Sequence, residues 1–336
     1  MKKLRVTVLV DGGWGTALAI VNARKKNEIT LWSAFPDYAK VIQEKRENVK
    51  FLPGIPLPAN LVVTADLKQA VEFGDIIVLA IPTQFLRNVL FKVKELGFSD
   101  KIFISVSKGI EKKTLLRPTE IIHSILGEKV RIVVLSGPSH AEEVARNIPT
   151  LVVAASTIQK DALTIQETFM DPYFRIYIQG DVLGVELGGA LKNVMAIAAG
   201  VCDGLKFGVN TKSGLLSRGL LEMTRLGTKM GAIPSTFFGL SGLGDLMTTC
   251  FSEHGRNLRV GRELGQGRKI KDILAGMEMV AEGVDSSESL HELCKKNGLE
   301  LPIIGEVYKI LFEEKDPKRA VIDLLHRDAH EEWKQY

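Results

Sequence analysis

The chain has 336 residues, of which 45% are hydrophobic and 25% are charged, and its formal net charge is +4. This length is enough for two domains, and the composition is typical of a soluble globular protein. The small net charge, without a basic run, argues against nucleic-acid binding. Three widely spaced cysteines and no signal-peptide pattern predict a cytoplasmic protein with reduced thiols.

The first half alternates short β-branched runs with helical patterns. Its apolar runs are continuous, which indicates a mainly parallel sheet that is covered on both faces. We therefore predict an α/β fold with an N-terminal Rossmann-like, doubly wound sheet. The predicted strands span residues 5–10, 28–32, 61–64, 75–81, 101–107, 130–135, 151–155 and 175–178.

The pattern changes after Gly180, where helical segments follow one another without a strong strand signal. We predict a dinucleotide-binding domain over 1–180 and an all-α substrate and catalytic domain over 181–336, with the site in the cleft between them. The predicted helices span residues 181–203, 211–230, about 256–266, 285–297, 302–313 and 317–326.

A glycine-rich turn, VLVDGGWGTALA, follows the first strand and opens a helix. That context is typical of the G-x-G-x-x-G turn that binds a dinucleotide. Gly12 and Gly15 fill the last two glycine positions and Gly13 is an additional glycine, but Val10 occupies the first position. Asp11 places a negative charge in the same turn. A plain strand–turn–helix connection is the alternative interpretation.

Two later strand ends also carry polar residues. Lys108 lies in SVSKGIE after the fifth strand, at the edge where open α/β sheets bind ligands. Gly137 makes a turn after the sixth strand, and Ser139 is predicted to cap a helix that begins near His140. The alternatives are a solvated loop lysine and a purely structural cap.

The segment 181–204 predicts a buried helix, because it is apolar on all sides and Asp181 can cap its start. Its glycines lower helix propensity, which indicates close approach by another backbone or a ligand. Burial would lower the pKa of Lys192 and suit it to acid–base catalysis. The alternative is a lysine that snorkels to the surface. Asp245, in a glycine-rich segment, is a candidate partner for Lys192, although an ordinary turn aspartate has the same pattern.

The Arg256–Asn257 pair stands at another predicted helix start. Arginine suits bidentate phosphate recognition, and helix-start amides would add to it. His326 and His330 are four residues apart, but no further ligands are evident, so we predict no metal site.

Six stretches in this order resemble the bacterial NAD(P)-dependent sn-glycerol-3-phosphate dehydrogenase family over nearly the whole chain. They are DGGWGTALA, SKG, SGPSHAEE, GALKNVMAIAAG, GLGDLMTTC and GRN. The resemblance implies hydride transfer between NAD or NADP and a small phosphate substrate, dihydroxyacetone phosphate, in glycerophospholipid synthesis. A homodimer is consistent with the resemblance. Glu186 and Lys192 interrupt the apolar segment 181–201, so we predict no membrane span.

The resemblance further implies residue roles. Lys192 is the expected proton donor and acceptor, with Lys108 and Asp245 as its catalytic partners. The substrate contacts that it implies are Lys108, Gly137, Ser139, Lys192, Asp245, Gly255, Arg256 and Asn257. The cofactor contacts that it implies are Gly12, Gly13, Trp14, Gly15, Lys108, Ala141, Arg256, Val280 and Glu282.

The chain departs from the family pattern at three places. Gly255 stands where many relatives have serine, so only its amide can serve the substrate phosphate. The other two departures concern the cofactor, and in the first of them Val10 replaces the first glycine of the fingerprint. After the second strand the chain reads Trp32–Ser33–Ala34–Phe35, which has neither a cation for a 2′-phosphate nor an acid for a ribose 2′-hydroxyl. Cofactor choice is therefore open. A β-hydroxyacid-type dehydrogenase and a non-catalytic dinucleotide sensor remain as alternatives.

Overall fold

The structure is a computed structural model that describes residues 4–252, 255–277, 279–328 and 331–332. It contains one eight-stranded sheet in the order β3-β2-β1-β4-β5-β6-β7-β8. Every adjacent pair is parallel except β6 and β7. The predicted mainly parallel, doubly wound sheet is confirmed. The strands are β1 (Arg5–Leu9), β2 (Glu28–Trp32), β3 (Leu61–Thr64), β4 (Ile76–Leu79), β5 (Ile102–Ser105), β6 (Arg131–Ser136), β7 (Thr150–Ala155) and β8 (Phe174–Gln179).

The sheet order reverses between β1 and β4, which is the switch point where doubly wound folds bind their ligands. Helices cover both faces of the sheet and bury its apolar strands. The N-terminal helices are α1 (Gly13–Arg24), α2 (Pro36–Lys45), α3 (Leu67–Phe73), α4 (Thr83–Leu96), α5 (Pro118–Leu126), α6 (Ala141–Ala145) and α7 (Gln159–Phe169).

The chain after β8 is helical wherever regular structure is described. All six predicted helices are present within a few residues. They are α8 (Val182–Gly204), α9 (Val209–Lys229), α11 (Arg256–Gly265), α13 (Glu282–Lys296), α14 (Pro302–Phe312) and α15 (Pro317–Leu325).

Two short helices in this half are absent from our sequence prediction: α10 (Asp245–Phe251) and α12 (Ile270–Ala275). They have 7 and 6 residues, too few to show a helical period of apolar residues. A 3₁₀ turn at Pro234–Phe238 and a π turn at Leu240–Gly244 precede α10. The predicted boundary between Gly180 and Asp181 falls in the short connection between β8 and α8, and it stays a prediction.

Helix α8 is the central, buried helix of the helical half. As predicted, the Asp181 carboxylate caps it by accepting a hydrogen bond from the Gly184 amide at 2.9 Å. The helix is long and apolar enough to cross a membrane, but 89% of its most apolar window is buried inside the fold. It is therefore a core helix of this structure.

Glycines in α8 and α11 let the two backbones touch. A Cβ atom at Gly200 would lie 2.1 Å from the Leu258 carbonyl oxygen, and one at Gly261 would lie 1.9 Å from the Ile197 carbonyl oxygen. Because neither position has room for a methyl group, the glycines set the distance between the helices. Close backbone approach, which the sequence predicted for α8, is confirmed.

Candidate active site

A buried carboxylate joins two lysines at the interface of sheet and helices. Asp245, at the start of α10, accepts a hydrogen bond from Lys192 Nζ at 2.6 Å on one oxygen and from Lys108 Nζ at 2.7 Å on the other. Lys192 comes from the middle of α8, and Lys108 follows β5. The pairing of Asp245 with Lys192 is the arrangement that the sequence predicted.

Burial determines the chemistry of this cluster. Lys192 and Asp245 are 7% and 1% exposed, so Lys192 does not snorkel to the surface. Burial lowers the pKa of Lys192 to about 8, although Asp245 opposes the shift. Burial by itself would raise the pKa of Asp245, but Lys108 and Lys192 together hold it below its usual value. Two ammonium groups thus share one carboxylate, and the cluster carries an excess positive charge.

The turn after β6 packs against Lys108. The Gly137 carbonyl oxygen accepts hydrogen bonds from Lys108 Nζ at 3.2 Å and from the Ser139 hydroxyl at 2.8 Å. Our prediction that Ser139 caps the next helix is wrong. The cap position of α6 is His140, without a side-chain capping bond, because the Ser139 hydroxyl turns back to Gly137. Ser139 is therefore beside Lys108.

Glycines of α8 bring the cluster together. A Cβ atom at Gly188 would lie 2.5 Å from the Ser241 carbonyl oxygen in the π turn that leads into Asp245. A Cβ atom at Gly189 would lie 3.3 Å from Cγ of Lys108. These small residues let α10 and the β5 end both approach Lys192 on the same helix.

The start of α11 presents the phosphate-binding candidates. Arg256 is exposed, and its guanidinium donates to the Val280 carbonyl oxygen at 2.7 Å. The cap residue of α11 is Gly255, which has no side chain, and among the described residues no side-chain cap is found there, so the first amides suit an anion. The Gly255 amide, in contrast, donates to the Ser252 carbonyl oxygen at 3.1 Å. It would have to leave that bond before it could bind a phosphate.

The start of α13 connects these candidates to the sheet. The Asn257 side-chain oxygen accepts from the Gly283 amide at 3.0 Å, and Glu282 accepts from the Thr83 amide at 3.0 Å. Val280 lies two residues before Glu282, just outside the helix, and its carbonyl oxygen holds Arg256. The structure thereby brings Arg256, Asn257, Val280 and Glu282 to one place beside the end of β4.

The glycine turn fits the phosphate groups of a dinucleotide. Helix α1 has no side-chain cap, and a Cβ atom at its cap residue Gly12 would meet nothing within 4 Å. A Cβ atom at Gly13 would lie 2.6 Å from the Phe51 carbonyl oxygen and 3.6 Å from Cβ of Ala141. The turn is thus a narrow cleft with open space at a helix start, as a pyrophosphate requires.

The two remaining residues of the turn, Gly15 and Trp14, contribute to packing inside the fold. A Cβ atom at Gly15 would lie 2.9 Å from Cβ of Ala80, so this glycine lets α1 pack on the β4 end. The Trp14 ring packs toward Phe174, with ring centroids 6.3 Å apart. Trp14 is therefore suited to bind a pyrophosphate through its backbone amide.

Sequence reasoning missed two residues that support the lysines. The Thr249 hydroxyl accepts from Lys192 Nζ at 2.6 Å and donates to the Asp245 carbonyl oxygen at 2.7 Å. The side-chain amide of Asn193 donates a hydrogen bond to the Lys108 backbone carbonyl oxygen at 3.0 Å. Thr249 lies four residues after Asp245, one helical turn away, and this spacing was the available signal.

No group of three or more metal-ligating side chains occurs among the residues that the structure describes. His326 is described at the end of α15, whereas His330 lies outside the described residues.

Comparison with known proteins identifies the family. A family model of the N-terminal part of NAD-dependent glycerol-3-phosphate dehydrogenase matches residues 5–162, and one of its C-terminal part matches residues 181–322. The chain belongs to the NAD-dependent glycerol-3-phosphate dehydrogenase family. It is an enzyme with an NAD or NADP cofactor, which excludes the non-catalytic sensor.

Individual members of this family are similar to the chain over nearly its full length. Glycerol-3-phosphate dehydrogenase [NAD(P)+] from Chlorobium chlorochromatii is 43% identical, with 98% of this chain and 99% of the relative covered. The Geobacter sp. enzyme of the same name is 46% identical, with 98% of each covered. The crystal structure of glycerol-3-phosphate dehydrogenase from Coxiella burnetii superposes with a TM-score of 0.93 at 38% identity, covering 97% of this chain and 99% of that one.

Proposed function

We propose that the chain interconverts dihydroxyacetone phosphate and sn-glycerol 3-phosphate, with Lys192, Lys108 and Asp245 at the reacting carbon. The observation that carries the assignment is the buried Asp245 carboxylate that bridges two ammonium groups. Such a cluster suits a carbonyl oxygen that becomes an alkoxide. Family membership supplies the substrate class, and the chemistry below follows from the cluster.

Lys192 is the proton donor and acceptor. In the reducing direction the carbonyl carbon gains a hydride, and the carbonyl oxygen takes a proton from the Lys192 ammonium. In the oxidising direction neutral Lys192 removes the proton from the hydroxyl. A pKa of about 8 leaves both forms of Lys192 populated near neutral pH, as acid–base catalysis requires. The bound nicotinamide supplies or receives the hydride.

Lys108 and Asp245 set the charge around this proton transfer. Lys108 stays bonded to Asp245 and Gly137, so its positive charge is fixed beside Lys192. While hydride transfer builds negative charge on the substrate oxygen, the cation at Lys108 stabilises this oxyanion until Lys192 protonates it. Asp245 holds both lysines in place while Thr249 orients Lys192.

The start of α11 binds the substrate phosphate. Arg256 offers a planar guanidinium, and the uncapped amides add the positive end of the helix dipole. Binding energy from the phosphate, which does not react, then orients the carbonyl at Lys192. For the cofactor, we propose Gly12, Gly13, Trp14 and Gly15 along the pyrophosphate, with Ala141, Val280 and Glu282 nearby.

The decisive experiment mixes purified protein with dihydroxyacetone phosphate and either NADH or NADPH and follows the nicotinamide absorbance. We expect turnover with at least one cofactor and only slow turnover with dihydroxyacetone, which lacks the phosphate. Replacing Arg256 with Met should raise KM for the phosphate substrate by about 30-fold or more, the scale of a lost charged hydrogen bond. The same substitution should barely affect dihydroxyacetone. An equal rise in KM for both substrates would show that Arg256 does not bind the phosphate.

A homodimer, a cytoplasmic location and a role in glycerophospholipid synthesis stay predictions. Sedimentation at several protein concentrations would test the dimer.

A further inference from the structure

The Asp11 side chain is a buried carboxyl group with an unused oxygen. Asp11 is 2% exposed, and its Oδ2 atom has no hydrogen-bond partner among the described residues. Burial raises the pKa of this carboxyl, whereas Ser33, the Asp11 backbone and Lys50 favour its charged form. An unpaired oxygen of a buried acid is costly, so its position calls for a ligand.

The neighbouring strand shows where in the sheet the carboxyl lies. Strands β1 and β2 are paired in register from Arg5 with Glu28 to Leu9 with Trp32, and the Val10 amide continues the ladder by donating to the Trp32 carbonyl oxygen at 3.0 Å. Asp11 and Ser33 therefore stand together just beyond the carboxyl ends of the two strands.

This edge has a defined role in doubly wound folds. The adenosine ribose of a dinucleotide lies over it, and an acid at the end of the second strand usually binds the ribose 2′-hydroxyl. Here the end of β2 offers Ser33, Ala34 and Phe35, none of which is acidic. A carboxylate is instead available in the turn after β1, at Asp11.

We propose that Asp11 is the residue that selects NAD(H) over NADP(H), by accepting a hydrogen bond from the ribose 2′-hydroxyl and repelling a 2′-phosphate. The inference rests on the dinucleotide site of the proposed function and adds a cofactor preference to it. Lys50 is the opposing charge, because it is an exposed cation whose field reaches Asp11. If Lys50 dominates instead, the 2′-phosphate is attracted and NADP(H) is preferred.

The test measures binding without substrate. The full chain is titrated calorimetrically with NADH and NADPH at fixed salt. We expect the parent to bind NADH at least tenfold tighter. Asp11→Asn has nearly the same shape and should reduce this ratio about tenfold, mainly through tighter NADPH binding. Lys50→Gln, the matched control, should leave NADH binding within twofold of the parent.

Two additions keep the outcomes distinct. ADP-ribose and its 2′-phosphate are titrated in the same way, and the effect of Asp11→Asn should reappear with these nicotinamide-free probes. If Asp11→Asn does not fold, judged by its thermal midpoint, Asp11→Ser replaces it. A parent that prefers NADPH, or a ratio unchanged by the substitution, overturns the inference. No binding of either cofactor would instead contradict the proposed dehydrogenase function.

Discussion

At the scale of single residues, Lys192 has its unusual properties because it is buried together with Asp245 and Thr249. Asp245 and Thr249 accept hydrogen bonds from its ammonium group, and Lys108 keeps Asp245 charged. In water the same lysine would hold its proton far above neutral pH. The depth of the cluster therefore decides that Lys192 is an acid–base group.

Lys192→Met should reduce turnover about 100-fold or more, since it removes general acid–base catalysis. Cofactor affinity should stay within a few-fold of the parent, because the substitution keeps the apolar stem. Stopped-flow turnover and a cofactor titration measure the two effects. Turnover within a few-fold of the parent would show that another group transfers the proton.

The parent enzyme should show opposite pH profiles in its two directions. Because the pKa of Lys192 is about 8, reduction needs the protonated form and should fall as pH rises through about 8. Oxidation needs the neutral form and should rise over the same range. Steady-state rates at saturating cofactor from pH 6 to about 10 measure both limbs. Parallel profiles in the two directions would contradict the assignment.

Val10 has a φ of 81°, which lies in the left-handed region that β-branched residues rarely adopt. A β-branched residue is strained there, by about 1–3 kcal/mol. Val10→Gly should relax the turn and tighten cofactor binding several-fold, with turnover at saturating cofactor nearly unchanged. Calorimetric titration of parent and variant checks this. An unchanged dissociation constant would mean that the turn already accommodates valine.

At the scale of elements, the contact between α8 and α11 couples the lysine to the phosphate site. Gly200 and Gly261 face each other across this contact. A Cβ atom added at either position would overlap with backbone atoms of the other helix. Since α11 begins at Arg256, its distance from α8 also sets the position of the guanidinium.

Gly261→Ala should therefore lower the free energy of unfolding by about 1–3 kcal/mol or more, the usual cost of overpacking. It should also raise KM for the phosphate substrate, because α11 must move away from α8. The matched control is Gly214→Ala on the exposed face of α9, where an added Cβ meets nothing within 4 Å. That control should stabilise the protein slightly, by up to about 1 kcal/mol. Denaturant unfolding and steady-state kinetics measure both variants. Equal unfolding free energies and equal KM values for the two variants would show that the contact between α8 and α11 does not depend on Gly261.

A second link between elements gives a dependence of stability on pH. The buried Glu222 carboxylate of α9 accepts from the Ile303 and Ile304 amides at 2.8 and 3.2 Å and so holds the start of α14. Burial raises its pKa to about 7, while Arg225 and Arg327 lower it. The folded state thus binds the proton more tightly than the unfolded chain does.

The sign follows from this difference. The free energy by which protonated Glu222 stabilises the folded state has a maximum of about 3 kcal/mol. This contribution is complete below about pH 4.5 and is lost as pH rises through about 7. Glu222→Gln does not titrate, so its unfolding free energy should vary less between about pH 5 and 8 than that of the parent. Urea unfolding across this range measures the difference. Identical pH slopes would show that Glu222 has an ordinary pKa in the folded protein.

At the scale of the whole molecule, the site exists only where the sheet and the helices meet. Lys108 and Ser139 come from strand ends, Lys192 and Asp245 from helices that follow the sheet in sequence. Their interface excludes water and concentrates positive charge where an anionic substrate reacts.

The sequence by itself determined the eight strands, the six longer helices of the second half and the cap at Asp181. These features depend on local patterns: continuous apolar runs, helical periodicity and a polar cap. The family, and through it each proposed site residue, followed from the order of short motifs.

Only the tertiary structure decided the φ of Val10, the turn of Ser139 toward Gly137 and the engagement of the Gly255 amide. It also showed that Asp11, which the sequence places simply beside a pyrophosphate, has a free buried oxygen next to Ser33. Side-chain direction and burial depend on residues that are distant in sequence. For that reason no local pattern could specify them.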